Sequence, residues 1–534
     1  MVAIDPSSRP ERQAGSLLSR IFRASVIVGA VIGGMVIGER ISLQNRLGDV
    51  HGVVLSSETV QFTPGLRSDP FEECRFYLAE SAIPYGGLGM YAGVGITKGD
   101  LVGNVDICIY VADTPDGTHL SSHTWGRGTF FGQYEGSNSR AACEGFTTQY
   151  NTMPVAAVNT KIMSMREPTN AGLDRKTHPG AGAITHFYGI HSLAVDHIPA
   201  GSELTIDYGD WDFDDKSSLT KPGHEPEWLK ENGMCVDNIE IRPAVDPSMG
   251  RGAFATRPLR KGSLVGPAPL QIFQDRSDFF KNGREALFVN YCFQPKDSSM
   301  LLFPYGPSIN LINHNSKPNV GLQWSTHKMH HSEWLELPQK KLFDKATPGG
   351  LLLEVVALRD IKRNEELFFD YGPDWEETWK THVQDWKPTL DEYVYPADMD
   401  ETTPLRTVEE QKTNPNPPNL RTVCNSPDWD RKESNTITWQ EPSWQWPEGN
   451  LSCHILKREK GDHGDYLYTV EVIFKEADAI YDPTVEEEDR YIDLKVPRRA
   501  IRFVDRSYTA DEHLPGVFRH PLQFPAELVP KAWM

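Results

Sequence analysis

Two polar segments in the second half of the chain carry side chains that could bind a ligand or assist a reaction. Residues 313–319 read NHNSKPN, and residues 365–372 read EELFFDYG. An asparagine and a histidine in a turn can offer an amide, an imidazole and backbone groups to a polar ligand, and a tyrosine at a strand end can direct its hydroxyl into a cleft. Asn313, His314 and Tyr371 are therefore candidate ligand-binding or catalytic residues.

The surrounding sequence indicates which elements hold these residues. The apolar run 309–312 reads as a strand that ends where Asn, Ser and Pro begin a turn. The residues before Gly372 read as the end of another strand. Upstream, residues 250–255 read GRGAFA, whose glycines let the backbone come close to a bound molecule.

Taken in order, the three motifs resemble those of the SET-domain family of protein lysine methyltransferases, and the resemblance covers roughly residues 237–373. Two positions depart from the family pattern. Asn315-Ser316 stand where the family often has Ser-Cys, and Asn310-Leu311 replace an Arg-Phe that commonly precedes the Asn-His pair. The motif stays recognisable.

The resemblance implies a SET-type β-clip fold, S-adenosylmethionine as cofactor and a lysine-containing protein as substrate. Tyr371 would be catalytic, with its hydroxyl near the methyl group and the amine, and Tyr291 would be a second tyrosine that helps position the amine. The cofactor-binding residues would be Gly250, Arg251, Gly252, Asn313 and His314. A free lysine has a pKa of about 10.4, so a desolvating aromatic channel would have to favour its neutral form. The alternative is a catalytically inactive SET-fold scaffold that binds proteins and is anchored to a membrane.

An internal repeat extends the resemblance to the first half of the chain. Residues 87–103 align without gaps on 250–266, and residues 198–209 align on 361–372, both at an offset of 163 residues. A shared offset predicts duplication of a whole domain, so the SET-type fold is expected twice. At this offset Tyr150-Asn151 take the place of Asn313-His314, although intervening loops can shift the register by a few residues. The first copy is therefore predicted to be degenerate, with a structural or binding use.

Composition limits the classes of partner and site. The chain has 74 acidic and 54 basic residues and a net charge of −20, which argues against direct nucleic-acid binding and suits a basic partner as well as simple solubility. No metal site is predicted. The seven cysteines form no CxxC pair, so a disulfide framework or structural zinc is not expected, which leaves room for one or two long-range bridges. They are Cys74, Cys108, Cys143, Cys235, Cys292, Cys424 and Cys453.

Near the N-terminus, residues 24–38 form an uncharged apolar stretch. With Ile21, Phe22 and a snorkelling Arg23, residues 21–40 are predicted to be a transmembrane segment or signal anchor after a tail at 1–20. A cleaved signal peptide and a buried or interfacial helix are the alternatives. The excess of arginine before the stretch favours a cytosolic N-terminus, which would put the rest of a single-pass membrane protein away from the expected source of methyl donor.

The predicted order of domains is a degenerate SET-like domain at 70–215, a SET domain at 234–386, a disordered linker at 387–442 and a small, barrel-like β domain at 443–525. The overall class is mostly β with some α. Trp444, Trp446, Tyr466 and Tyr468 suit a Tudor-like aromatic cage or an ordinary core.

Two predictions concern elements beside the expected site. Residues 287–293, with Tyr291, are predicted to be a buried strand. Residues 374–386 are predicted to be an amphipathic helix that covers one side of the cleft. Many SET enzymes have a three-cysteine zinc cluster just after the Tyr-Gly motif, whereas no cysteine precedes Cys424 here. This helix or the neighbouring copy would therefore have to complete the lysine channel.

Overall fold

Strands outnumber helices in the part of the chain that the structure, a computed structural model, describes. These residues are 73–111, 120, 124–126, 140–154, 157–168, 171, 173–208, 222–281, 283–345, 349–400, 402–425, 450–461, 464–475, 488–506 and 508–534. All of them lie in one compact unit, Arg67–Met534. The predicted tail 1–20 and membrane segment 21–40 lie outside the described residues, and no described helix is long and apolar enough to cross a bilayer.

The N-terminal unit, residues 73–208, is built on a five-stranded sheet around the long strand Leu101–Val111. Its apolar side chains pack with those of the first hairpin, Phe76–Glu80 with Leu88–Ala92, in one buried cluster. Its further strands are Trp125–Gly126, Arg140–Glu144, Asn151–Thr152, Thr160–Pro168, Phe187–Ala194 and Thr205–Ile206.

The central unit, residues 234–385, has Leu264–Phe273 in the middle of a six-stranded sheet. This strand reads as an almost unbroken buried run because neighbouring elements cover both of its faces. The other strands of the unit are Met234–Cys235, Ile239–Pro243, Arg251–Ala255, Phe280–Lys281, Arg284–Glu285, Phe293–Gln294, Leu301–Pro304, Asn313–His314, Val320–Trp324, Leu352–Ala357 and Phe368–Phe369. The helices are Pro226–Asn232, just before the unit, then Gln339–Lys345 and Pro373–Asp385.

Strand pairs of the N-terminal unit recur in the central unit at the offset found in the sequence. The matching pairs are Phe76↔Ala92 with Ile239↔Ala255, Leu101↔Leu193 with Leu264↔Val356, and the bridges Tyr91↔Glu203 with Phe254↔Glu366 and Ile96↔Ile198 with Leu259↔Ile361. The short parallel pair Asn151–Thr152 with Thr205–Ile206 likewise corresponds to Asn313–His314 with Phe368–Phe369. Asn151-Thr152, one position beyond the expected Tyr150-Asn151, therefore occupies the place of Asn313-His314.

The predicted buried strand at 287–293 is wrong. Leu287–Tyr291 form a 3-10 helix, and only Phe293–Gln294 form a strand. The segment is apolar on nearly every side because it is buried all round, so its hydrophobic pattern has no period that separates helix from strand.

The C-terminal region contains a five-stranded antiparallel sheet. Its strands, in spatial order, are Glu488–Pro497, Tyr466–Lys475, Asn450–Lys460, Leu420–Asn425 and Ile501–Asp505. No pairing joins the two outer strands within the described residues, so a closed barrel stays a prediction. Tyr468 is fully buried and its hydroxyl accepts a hydrogen bond from the Leu405 amide, so it belongs to the core rather than to an aromatic cage. Trp444 and Trp446 lie outside the described residues.

The prediction of a disordered linker is wrong for its described residues, which reach as far as 425. They form the helices Pro396–Asp400 and Val408–Gln411 and the strand Leu420–Asn425. Thr407 and Glu410 cap the second helix reciprocally, and Leu405 and Leu420 join the core of the C-terminal sheet. Proline and asparagine in this stretch therefore mark turns between ordered elements.

The end of the chain turns back to the central unit. This return segment, residues 514–534, adds the strand Leu522–Gln523 in parallel beside Phe293–Gln294. The Leu522 amide donates to Cys292 O at 2.8 Å, and the Gln523 amide donates to Tyr371 O at 2.9 Å. In chain order, the C-terminal sheet thus lies between two segments that pack in the same hydrophobic core.

Three disulfides overturn the expectation that the cysteines form no framework. Cys74–Cys235 joins the N-terminal and central units, Cys108–Cys143 joins paired strands of the N-terminal unit, and Cys424–Cys453 joins paired strands of the C-terminal sheet. Strand pairing brings together cysteines that are 161, 35 and 29 residues apart, and no local spacing motif reports such separations. The remaining cysteine, Cys292, is buried and belongs to none of these disulfides, and its thiol donates to Phe288 O at 3.4 Å.

Candidate active site

A cavity of about 380 Å³ opens in the central unit, and we call it the central cavity. Its size lies in the range of small-molecule sites. Five of the seven residues that the sequence singled out line it together: Arg251, Tyr291, Asn313, His314 and Tyr371. Gly250 and Gly252 flank Arg251 in the chain at its edge. The other lining residues are Leu173, His178, Pro179, Gly180, Ala183, Ile184, Ser248, Met249, Asn290, Asn310, Leu311, Trp375, Trp379 and Phe518.

The two glycines are required by close packing at the edge of the cavity. Gly250 has φ +71°, and a Cβ at this position would lie 2.6 Å from Ile184 Cδ1. A Cβ at Gly252 would overlap the Glu366 carboxylate and lie 3.1 Å from Asn313 Nδ2. A side chain at either position would therefore displace residues that shape the cavity.

Asn313 is held by the fold through its amide nitrogen. Nδ2 donates to Arg251 O at 2.9 Å and to Glu366 Oε1 at 3.1 Å. Glu366, which is 5% exposed, accepts a further hydrogen bond from the Val245 amide at 2.9 Å. Asn313 therefore offers a bound molecule its side-chain oxygen rather than its amide hydrogens.

The N-terminal unit contains the same network. Asn151 Nδ2 donates to Leu88 O at 2.9 Å and to Glu203 Oε1 at 2.8 Å, and the Ala82 amide donates to Glu203 Oε2 at 2.8 Å. The asparagine and the glutamate thus make matching hydrogen bonds in each unit. Their presence alone does not indicate an enzyme.

His314 connects the turn at Tyr371 to the helix Pro373–Asp385. Its Nδ1 accepts from the Tyr371 amide at 3.0 Å, so the proton sits on Nε2, which donates to Glu376 Oε1 at 3.3 Å. This bond to the histidine lowers the pKa of Glu376. In the N-terminal unit Thr152 takes the place of His314, and its hydroxyl accepts from the Tyr208 amide at 3.2 Å. The bond to the tyrosine amide is therefore found in both units, and only the bond to Glu376 of the helix requires the histidine.

Tyr371 has a fixed and protonated hydroxyl. The hydroxyl donates to Ile312 O at 2.6 Å, and burial raises the pKa of Tyr371 well above its usual value. Tyr208, its counterpart in the N-terminal unit, makes the corresponding bond to Tyr150 O at 2.5 Å. At neutral pH Tyr371 can therefore orient and polarise a neighbouring group but cannot serve as a ready base.

Tyr291 and Arg251 line the cavity and also bind the backbone of the N-terminal unit. The Tyr291 hydroxyl accepts from the Thr185 amide at 2.7 Å, and the Arg251 guanidinium donates to Thr185 O. Tyr291 is 5% exposed, as expected for a residue of the buried 3-10 helix. Both side chains thus join the central unit to the N-terminal unit, the neighbouring copy that was one of two candidates to complete the channel. The segment around Thr185 carried no motif of its own in the sequence.

An aromatic wall, which we define as Trp375, Trp379 and Phe518, closes part of the cavity. The two tryptophans stack with centroids 5.9 Å apart, and Phe518 meets them edge-on at 5.6 and 5.0 Å. The predicted amphipathic helix beside the cleft is confirmed and spans Pro373–Asp385. Its two tryptophans are four residues apart, so they lie on one side of the helix, and both line the cavity. Phe518, which the return segment contributes, carried no local signal in the sequence.

The central cavity contains no carboxylate among its described lining residues. Its polar groups are amides, a hydroxyl, phenols, imidazoles and one guanidinium, and the rest of the lining is apolar or aromatic. Such a lining accepts a partly apolar ligand with a few hydrogen-bonding groups.

The comparison with protein-family models points to the same part of the chain. Residues 250–372 match the family model of the SET domain. No curated protein sequence matches the chain. Similar solved structures include a candidate histone methyltransferase of Plasmodium falciparum (18% identity, 26% of this chain and 96% of that one, TM-score 0.18). Others are polycomb repressive complex 2 of Chaetomium thermophilum (19%, 29% and 18%, TM-score 0.20) and this complex bound to S-adenosylmethionine in an autoinhibited conformation (18%, 31% and 19%, TM-score 0.20). The chain spans under a fifth of the length of the two polycomb chains.

Proposed function

We propose that the SET domain at residues 250–372 makes this chain an S-adenosylmethionine-dependent protein lysine methyltransferase, with the central cavity as its active site. One observation carries the proposal. Residues from three separate sequence motifs, Arg251, Asn313, His314 and Tyr371, line a single cavity of ligand size beside an aromatic wall.

The residues present fit the cofactor. The turn at Gly250 and Gly252 has no side chain that would block the backbone, Asn313 presents a side-chain oxygen, and the cavity volume suits a nucleoside-sized molecule. We assign the glycine turn, Asn313 and His314 to holding it. S-adenosylmethionine would supply a methyl group already activated by its sulfonium.

The protein's own residues would act by placement and by exclusion of water. Tyr371, fixed by Ile312 O and protonated, orients the acceptor amine. Trp375, Trp379 and Phe518 lower the local polarity, which favours the neutral form of a lysine amine. The net charge of −20 suits a lysine-rich protein segment as substrate.

The proposal includes duplication, with the N-terminal unit as a degenerate SET-like copy. Its support is the constant offset of the strand pairs and the repeated asparagine–glutamate network. The same repetition favours the second candidate, a SET-fold scaffold without activity, because the asparagine–glutamate network is present in the N-terminal unit, where Thr152 stands in place of the histidine. Attachment to a membrane through residues 21–40 stays part of both proposals.

Calorimetric titration of the full chain with S-adenosylmethionine tests the enzyme proposal. We expect saturable binding, which Gly252→Ala should abolish, because its Cβ would collide with the Glu366 carboxylate beside Asn313. Gly89→Ala is a matched control, since its Cβ would collide in the same way with the Glu203 carboxylate of the N-terminal unit. Both variants should lose stability in chemical denaturation, and only Gly252→Ala should lose the cofactor. Absence of binding by the unmodified chain at millimolar cofactor would leave only the scaffold.

A further inference from the structure

We infer that the N-terminal unit serves the central cavity directly. Its segment 173–185, which we call the strap, forms a second wall of that cavity and limits the size of the molecule that the cavity accepts. The identity of the ligand rests on the proposed function. The role of the strap as a wall does not.

The backbone of the strap is bound at several points by the central unit and the return segment. These bonds are Tyr291 Oη with Thr185 N at 2.7 Å, Asn290 Nδ2 with Ala183 O at 2.8 Å, Arg519 Nη1 with Gly182 O at 2.8 Å, His382 Nε2 with Pro179 O at 2.8 Å, and the Arg251 guanidinium with Thr185 O. Buried peptide groups are costly to leave unpaired, so these bonds fix the strap in one position.

Buried charges hold the beginning of the strap. Arg175 stacks on Tyr393 with its guanidinium 3.8 Å from the ring centroid and forms an ion pair with Asp511 at 3.2 Å. Both charged side chains are at least nine-tenths buried, so separating them would leave an uncompensated charge in the interior. The strap is therefore anchored at both of its ends.

The strap places apolar atoms beside the glycine turn of the cavity. Leu173, Pro179, Ala183 and Ile184 all line it. Ile184 lies so close to Gly250 that a Cβ there would come within 2.6 Å of its Cδ1. Ile184 and Gly250 therefore pack closely together, and the volume of the cavity beside Gly250 depends on Ile184, a residue of the N-terminal unit.

The corresponding turn of the N-terminal unit has no such cover among the described residues. Gly87, the counterpart of Gly250, has a similar φ of +66°, yet a Cβ there would meet no atom within 4 Å. Tyr208, the counterpart of Tyr371, is 51% exposed. As far as the described residues go, the N-terminal unit thus covers the turn of the central unit and not its own.

Two substitutions in the full chain, compared with a matched control, test the wall by ligand binding. Ile184→Ala removes atoms next to Gly250 and should weaken S-adenosylmethionine about tenfold, which corresponds to roughly 1.4 kcal/mol. It should also admit cofactor analogues with bulkier substituents that the unmodified cavity rejects. Ala183→Phe should fill the cavity and abolish binding.

The matched control is Ile162→Ala, which removes the same atoms from another partly buried isoleucine of the N-terminal unit, away from the cavity. It should lower stability comparably and leave binding unchanged. The role of the strap as a wall would be contradicted if Ile162→Ala weakened S-adenosylmethionine binding as much as Ile184→Ala does. It would also be contradicted if Ile184→Ala changed neither the affinity for the cofactor nor the exclusion of bulkier analogues.

Hydrogen exchange separates failure of this inference from failure of the proposed function. Without ligand, Ile184→Ala should speed exchange in residues 250–254, and Ile162→Ala should not. With S-adenosylmethionine, the unmodified chain should gain protection in both the strap and residues 250–254. Protection of 250–254 alone would contradict the strap and leave the enzyme standing. If the cofactor protects neither segment, the proposed function is contradicted. The comparison of Ile184→Ala with Ile162→Ala without ligand then still shows whether the strap packs against residues 250–254.

Discussion

Tyr371 and Tyr208 show how one tyrosine can mark a fold at one place and a site at another. Each donates to a backbone carbonyl at the same point of its unit, at 2.6 and 2.5 Å. Tyr371 is surrounded by His314 and Trp375, with centroids 5.3 and 4.9 Å away, whereas Tyr208 is half exposed. The surroundings, rather than the hydrogen bond, distinguish the catalytic candidate.

Tyr371→Phe should reduce methyl transfer to a lysine peptide by at least about 100-fold, because the hydroxyl that orients the amine is lost. Cofactor affinity should change little. Tyr208→Phe is the control: it removes the matching hydrogen bond, worth about 1 kcal/mol in either unit, and should leave transfer unchanged. Single-turnover assays with calorimetry in parallel measure both effects. Undiminished transfer by Tyr371→Phe would assign the chemistry to another residue.

The two-residue strand Leu522–Gln523 joins the end of the chain to the central unit beside the candidate site. It extends the six-stranded sheet and binds the backbone at Cys292 and Tyr371. A Cβ at Gly372 would lie 2.6 Å from Gln523 Cβ, so the strand packs directly on the Asp-Tyr-Gly turn. Phe518, four residues before this strand in the return segment, contacts the two tryptophans.

Leu522→Asp should lower the free energy of unfolding by about 2–5 kcal/mol, because it puts a carboxylate in the core. Loss of the strand should also loosen Phe518 and weaken cofactor binding. Leu101→Asp, at a leucine that is 57% exposed, should change neither. Urea denaturation and cofactor titration of the two variants make the comparison. Equal stability of Leu522→Asp and the unmodified chain would mean that the return segment is not part of the core.

At the scale of the whole molecule, the cavity is assembled from segments that are far apart in the chain. The strap, the glycine turn, the helix Pro373–Asp385 and the return segment each supply part of its lining. Between the helix and the return segment, the chain builds an entire sheet of its own. Damage to the strap is therefore expected to reach the site in the central unit.

Sequence patterns predicted the parts of this arrangement that are local. Gly250, Asn313 and Tyr371 stand out because a turn and a strand end require particular residue types. The repeat predicted the common strand register to within one residue at Asn151. Ile184 and Phe518 stayed hidden, since an isolated apolar residue does not report a contact made by distant segments.

The three disulfides are long-range contacts that no spacing pattern in the sequence predicted. If all three form, denatured but unreduced protein should expose one reactive thiol per chain, that of Cys292. Peptide mapping without reduction should recover Cys74 with Cys235, Cys108 with Cys143 and Cys424 with Cys453. After reduction, all seven cysteines should react. Seven reactive thiols before reduction would contradict the assigned pairs.

The Cys74–Cys235 bond also determines how the chain transmits mechanical tension. It joins two cysteines that are 161 positions apart, and the covalent loop between them contains the strap and nearly all of the N-terminal unit. A pull on the two ends of the chain passes through this bond and bypasses the loop, which would otherwise extend by on the order of 500 Å. If the chain is tethered at its N-terminus, the wall of the central cavity lies outside the path of the force.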